Sequence, residues 1–203
     1  MITIIASFVI GIMSSLAATC IVFLRGKARL RLRFRTIVAL IVRMARQLEL
    51  DNYVPQYIVT IDRHSGVVGS ILAGHVGLRA VVSVACQHRR LPDGARETRL
   101  DDVSARTLSL LRGSRVLVLI CCNDSGTSLS CVVNHLRNLG ENAPIEVRTA
   151  AIYTSVSPVI VPKYKGVVVG RDTNKPMNKI ISQLPWATEG WRHILGKERL
   201  PLG

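Results

Sequence analysis

No charged residue of either sign precedes Arg25, and no acid precedes Glu49. The first absence argues against a cleaved signal peptide, which normally carries a positive residue ahead of its apolar stretch. The five cysteines (Cys20, Cys86, Cys121, Cys122 and Cys131) form no CxxC pair, and their number is odd. That pattern excludes a disulfide framework and a zinc site of ordinary ligand spacing. Cys20 lies in an apolar segment and the other four in or beside apolar runs, so all five read as reduced thiols of a cytosolic protein. No internal repeat and no low-complexity linker is present, which excludes a solenoid or a string of modules. Once an N-terminal span is set aside, roughly 165–180 residues remain, enough for one domain with a sizeable core.

What is there is unevenly placed. Ile2 to Leu24 is a run of 23 residues without a charge. At about 1.5 Å per residue it reaches about 34 Å, enough to cross a hydrocarbon core. Eight basic residues follow between Arg25 and Arg46 with no acid among them, and the chain as a whole carries +14. Positive charge on the cytosolic flank places the N-terminus outside and everything after Arg25 in the cytosol. The expectation is a single-pass protein of the cell membrane. Anionic lipid is then the first candidate partner of the basic block, and nucleic acid ranks well behind it. A buried core helix is the competing reading of the apolar run. Within it Ser7, Gly11, Ser15 and Thr19 recur every four residues, a stripe that would let two such helices approach, although ordinary small-residue usage explains it equally well.

Leu30, Phe34, Ile37, Ile41, Met44 and Leu48 follow a three-four spacing, one face of an amphipathic helix. Its first turns are expected on the lipid surface and its later turns against the domain. Residues 1–24 are thus expected as a transmembrane helix, 25–50 as a basic juxtamembrane helix and 51–203 as the cytosolic domain.

In that domain strand-like runs alternate with helical stretches. Tyr57–Ile61, Ala80–Cys86, Arg115–Cys122, Ile145–Ala151 and Val167–Val169 read as strands. Gly66–His75 and Leu129–Leu139 read as helices, the first opened by a loop and the second ended by Gly140. Buried runs of this kind predict an α/β fold with a parallel sheet covered on both faces. The polar stretch Gln87–Arg99 reads as a long loop, with a short helix starting at Asp101 or Asp102.

The chemistry concentrates after the Arg115–Cys122 strand. There Asn123, Asp124, Ser125, Gly126, Thr127 and Ser128 form a turn that opens a helix. Helix N-termini favour anions, hydroxyls add donors and glycine lets the backbone come close, so a phosphate monoester is the natural ligand. N-capping accounts for a Ser/Gly/Thr turn equally well.

Ser125-Gly126-Thr127-Ser128-Leu129, behind a hydrophobic strand, resembles the signature of the type I phosphoribosyltransferases, with Ser in place of both Thr. The resemblance implies a Rossmann-like parallel sheet and a turn that holds the 5′-phosphate of phosphoribosyl pyrophosphate (PRPP). It also implies an acid/base role for Asp124, as in purine-type members. Ile61 to Gly66 then corresponds to the pyrophosphate loop, with Arg63, His64, Ser65 and Gly66 as its ligands. Gln87–Arg99 corresponds to the mobile loop, with Arg89 and Arg90 as phosphate clamps. Pro162–Tyr164 and Pro185-Trp186 correspond to elements that close the nucleobase side, where Ile181 takes the place of a stacking aromatic and Trp186 lies nearby. The resemblance spans roughly Thr36 to Gly196.

Two acids of the signature fall at Ile120 and Cys121, which can neither bind ribose hydroxyls nor help place Mg²⁺. The expectation is therefore a membrane-anchored, phosphoribosyltransferase-like protein that binds PRPP or a nucleotide as a sensor or effector, with altered or lost transferase activity. No residue is expected to hold a metal; Mg²⁺ would enter only with PRPP. The family often dimerises, so a homodimer is an assembly the resemblance allows. An active nucleobase phosphoribosyltransferase and a non-catalytic, membrane-tethered interaction protein are the alternatives.

Overall fold

The computed structural model describes residues 34–78, 80–92, 96–101 and 103–171, together with residues 177, 180, 184 and 186. The expected membrane span, its small-residue stripe and the basic residues from Arg25 to Arg33 lie outside the described residues. Among the described residues no helix is long and apolar enough to cross a membrane. Residues 37–183 form one compact unit, and everything below concerns it unless stated otherwise.

In chain order the elements are α1 (residues 34–50), β1 (Tyr57–Ile61), α2 (Asp62–His75), β2 (Val81–Val84), β3 (Cys86–Arg90), β4 (Arg96–Leu100), α3 (Ala105–Leu111), β5 (Arg115–Asn123), α4 (Thr127–Arg137), β6 (Glu146–Thr154) and β7 (Tyr164–Val168). Five strands form one sheet in the order β2-β1-β5-β6-β7, and every pairing in it is parallel. The expected α/β architecture is therefore present.

Alternation along the central strands decides which helix packs where. Val59, Ile61, Val116, Val118 and Ile120 share one core with Leu129, Val132, Val133 and Leu136 of α4 and Leu111 of α3. Ile58 and Thr60 point the other way, toward α2. There Gly69 lets α2 sit close, since a Cβ on it would lie 2.3 Å from Thr60 Cγ2. Both faces are covered, so the strands need no polar side. In α1 the expected stripe is buried from Ile37 through Ile41 and Met44 to Leu48, and Arg43 and Arg46 are exposed. The later turns of this helix are thus part of the core.

A polar cluster fixes the end of α1 to the far side of the sheet. Asp51 Oδ2 accepts from Lys163 Nζ at 2.8 Å, Tyr164 OH at 3.0 Å and Arg148 Nη1 at 3.2 Å. Arg148 also donates to Glu146 at 2.6 Å and lies 4.1 Å above the Tyr53 ring. The Tyr53 hydroxyl donates to Val116 O at 2.8 Å.

Three expectations need correction. Helix α2 does not wait for a loop; it starts at Asp62, directly after β1. Gln87–Arg99 is not a loop but most of an antiparallel hairpin, in which Cys86 faces Leu100, His88 faces Thr98 and Arg89 faces Glu97. Opposite charges directly across a ladder stabilise such a pair, which partly offsets its polar composition. Helix α3 starts at Ala105 rather than at Asp101 or Asp102, because Ser104 is the cap, with its Oγ accepting from Thr107 N at 3.2 Å.

Candidate functional site

Strand order places the site. The chain leaves β1 toward β2 on one side, and leaves β5 toward β6 and β7 on the other. The carboxyl ends of β1 and β5 therefore flank a topological switch point, where open parallel sheets form their ligand crevice. A cleft of about 470 Å³ lies there. Its walls are Asp62 at the start of α2, His88 and Arg89 of the hairpin, Ile120 and Cys122 of β5, and Asn123, Asp124, Ser125, Gly126 and Ser128 of the turn into α4.

The turn is held rigidly from behind. Gly126 has φ +84°, and a Cβ on it would lie 2.9 Å from Ile160 N and 3.0 Å from Val159 N. Only glycine fits such a backbone in such a space. Val159 N donates to Ser125 O at 2.8 Å, and the Ser155 hydroxyl donates to Asp124 O. Asn123 is buried, and its Nδ2 donates to Thr154 Oγ1 and to Ile160 O, both at 3.1 Å. Its Oδ1 is buried with no donor among the described residues. Asn123 is thus chiefly a clamp between β5, β6 and the segment after β6. That clasp by residues 155–160 was not legible in the sequence; its only signal is the Ser-Pro-Val-Ile-Val-Pro run.

The hydroxyls of the turn keep capacity for a ligand. Ser125 Oγ and Thr127 Oγ1 are 2.9 Å apart and share one hydrogen bond, which leaves one of the two O–H groups to point elsewhere. Thr127 N reaches Ser125 Oγ only at 3.4 Å, so capping takes little from this pair. Ser128 Oγ lies 3.2 Å from His88 Nε2, and His88 Nδ1 lies 3.0 Å from Thr98 Oγ1. His88 therefore latches the hairpin to the start of α4. Sequence reasoning missed it; the Pro92-Asp93-Gly94 turn signature, with polar runs on either side, could have revealed the hairpin that carries it.

The expected pyrophosphate segment is built differently. Asp62 itself lines the cleft, with φ +69°, and its Oδ1 accepts from His64 N at 2.7 Å and Ser65 N at 3.0 Å. Ser65 is fully buried, and its Oγ accepts from Cys121 N at 2.8 Å. Arg63 is exposed and His64 half-buried, and neither is among the cleft walls. Gly66 belongs to the body of α2. Arg89 is at the cleft. Arg90 takes part in the hairpin ladder opposite Arg96, and its side chain lies outside the described residues. Ile181 lies outside them as well. Trp186 belongs to the other unit, and its indole Nε1 is buried with no acceptor among the described residues.

Ile120 forms an apolar wall, and Cys121 is 1% exposed on the opposite side of the strand. Burial pushes the Cys86 thiol up to about 12. A hydrogen bond with Cys122, then burial, push Cys121 well above the ordinary thiol range. Both stay protonated at neutral pH and are not nucleophiles. The carboxylates at the cleft are Asp62 and Asp124, and no group of three metal-ligating side chains occurs among the described residues.

No family model and no curated protein sequence matches the chain. Solved structures do. A purine phosphoribosyltransferase from Pyrococcus horikoshii superposes with a TM-score of 0.53 at 17% identity, over 66% of this chain and 83% of that one. A hypothetical protein from Neisseria gonorrhoeae with bound ppGpp gives 0.55 at 17% identity, over 66% and 78%. A hypoxanthine phosphoribosyltransferase from Staphylococcus aureus gives 0.52 at 15% identity, over 70% and 76%. The fold resembles that of purine phosphoribosyltransferases. At these identities the likeness concerns the fold alone.

Proposed function

We propose that this chain binds PRPP or a nucleotide through a phosphoryl group seated at the Asn123–Ser128 turn, and acts as a sensor or effector whose transferase activity is altered or lost. The observation that carries the reading is the rigid turn at the switch point, with Gly126 pressed against residues 158–160 and the hydroxyls of Ser125, Thr127 and Ser128 around it. First-turn amides and the dipole of α4 favour an anion there. Arg89 supplies the facing cationic group, and His88 holds Ser128 beside it.

Loss of transfer chemistry follows from the floor of the cleft. Transfer passes through an oxocarbenium-like sugar that must be held rigidly while pyrophosphate leaves. Ile120 offers that sugar no hydrogen bond, and Cys121 faces away from the cleft. In this reading Mg²⁺ arrives only with PRPP. The uncharged run from Ile2 to Leu24 anchors the protein in the cell membrane, with the basic block on anionic lipid and the domain in the cytosol.

Titration calorimetry on the full-length chain in mild detergent tests the reading, with GMP, ppGpp and PRPP as ligands, with and without Mg²⁺. The expected result is saturable heat with at least one of them, weakened by S125A/S128A, and no release of pyrophosphate from PRPP with any nucleobase. Absence of heat across the panel would refute the binding. Pyrophosphate release would refute the loss of transfer.

A further inference from the structure

Two helices, α2 and α4, open at the carboxyl ends of adjacent strands and face one cleft. Each N-terminus presents amides that suit an anion. They differ in what they already hold. At α2 the anion is part of the chain: the Asp62 carboxylate takes the N–H groups of His64 and Ser65 at 2.7 and 3.0 Å. It reaches them because Asp62 adopts φ +69°, in the left-handed region that Asp and Asn enter more readily than other non-glycine residues. The one hydroxyl of that turn, Ser65 Oγ, accepts from Cys121 N at 2.8 Å and lies 3.4 Å from Asp62 Oδ1, to which it donates. The first turn of α4 carries no acidic residue, and its hydroxyls keep spare hydrogen-bonding capacity. Beneath it, Asn123 Oδ1, an acceptor, is buried with no donor among the described residues.

We infer that Asp62 is a specificity-determining internal anion: it fills the α2 end of the cleft, so that the site selects ligands with a single phosphoryl group, nucleoside 5′-monophosphates, over PRPP and other pyrophosphate-bearing ligands. The inference rests on the phosphoryl-binding reading given above and narrows it. A pyrophosphate spanning both helix ends would have to displace the carboxylate from its two amides. It would also meet a like charge at contact range, the exposed Asp62 carboxylate.

The test compares GMP, PRPP and inorganic pyrophosphate as calorimetric ligands for the full-length chain, with and without Mg²⁺, in wild type, D62N and D62G. The carboxamide introduced by D62N retains an oxygen for both amides, and such a side chain tolerates positive φ, so this variant removes the charge and keeps the turn. D62G frees the amides at a φ that suits glycine. Wild type is expected to bind GMP and to bind pyrophosphate at least about tenfold more weakly, with PRPP no tighter than GMP. D62N is expected to raise affinity for pyrophosphate and PRPP about tenfold, and D62G by more, since one charge removed at contact range is worth about that factor. Affinity for GMP should rise less than that for pyrophosphate in both variants, since its one phosphoryl group sits at the α4 end of the cleft.

Wild type binding pyrophosphate as tightly as GMP, unchanged by D62N, would overturn this inference and leave phosphoryl binding intact. D62N weakening Mg²⁺-dependent binding of pyrophosphate would also overturn it, since Asp62 would then hold the cation. No binding of any probe by wild type or D62G would overturn both readings.

Discussion

Gly126→Ala puts the central geometry at risk in a measurable way. Gly126 stands at φ +84°, and an added Cβ would lie 2.9 Å from Ile160 N, 3.0 Å from Val159 N and 3.3 Å from Pro158 Cβ. Holding alanine in the left-handed region costs about 1 kcal/mol. Overpacking against backbone that cannot move freely adds about 1–3 kcal/mol, for a total of about 2–4 kcal/mol. For a domain near 150 residues that corresponds to a fall in Tm of about 5–15 °C. Gly77→Ala is the control: it has φ +74° and nothing within 4 Å of the added atom, so it should lose only about 1 kcal/mol. Urea unfolding of the full-length variants at matched m-values gives the difference directly. G126A should also bind GMP more weakly than G77A, because the displaced turn carries the phosphoryl donors. If the two variants unfold within about 0.5 kcal/mol of each other, the claim that residues 158–160 clamp the turn is wrong.

Ser65→Ala should lower stability by about 1–3 kcal/mol, because it leaves the buried Cys121 N–H without its 2.8 Å acceptor. The urea midpoint is expected to shift with an unchanged m-value, and a shift below about 0.5 kcal/mol would show the bond to be unimportant. At Asp51, the hydrogen bond from Lys163 and then that from Tyr164 hold the carboxyl below its usual range. Stability from a depressed carboxylate is fully present above its unfolded pKa and is lost as pH falls through the lower folded value. Urea midpoints taken from pH 6 down to pH 2.5 should therefore fall below about pH 4 in wild type, and less steeply in D51N. Equal slopes would remove Asp51 from the account.

How far the sequence could be read depended on whether the deciding interaction was local. The β-rich run Tyr57–Ile61 is the strand β1 residue for residue, and β5 extends one residue beyond the expected Arg115–Cys122. Branched residues in sequence announce a buried strand without help from partners. The turn between β5 and α4 was legible for the same reason: glycine and hydroxyl residues commonly mark such a connection. Three features were not legible. Hairpin β3–β4 has little apolar signal of its own, and is held partly by His88, which bonds Thr98 within the hairpin and Ser128 across 40 residues. Strand β7 starts at Tyr164, ahead of the expected Val167, because pairing with β6 and the Asp51 cluster define it. At the head of α2, Arg63 drew attention as the charged residue, yet its neighbour Asp62 faces the cleft. That choice was made by a positive φ, which no neighbouring side chain dictates.

The stitch between α2 and β5 has a consequence for the substitutions its strand end can accept. An aspartate introduced at position 121 would put a carboxylate where the present side chain is 1% exposed. A lone buried carboxylate is unfavourable by several kcal/mol unless it is neutralised by taking up a proton. At position 120 the outcome differs, since that side chain forms a wall of the cleft and an acid there could meet solvent or ligand. A single substitution could thus place an acid at the cleft from position 120, whereas one at position 121 would require the strand end and its neighbouring helix to be rebuilt together.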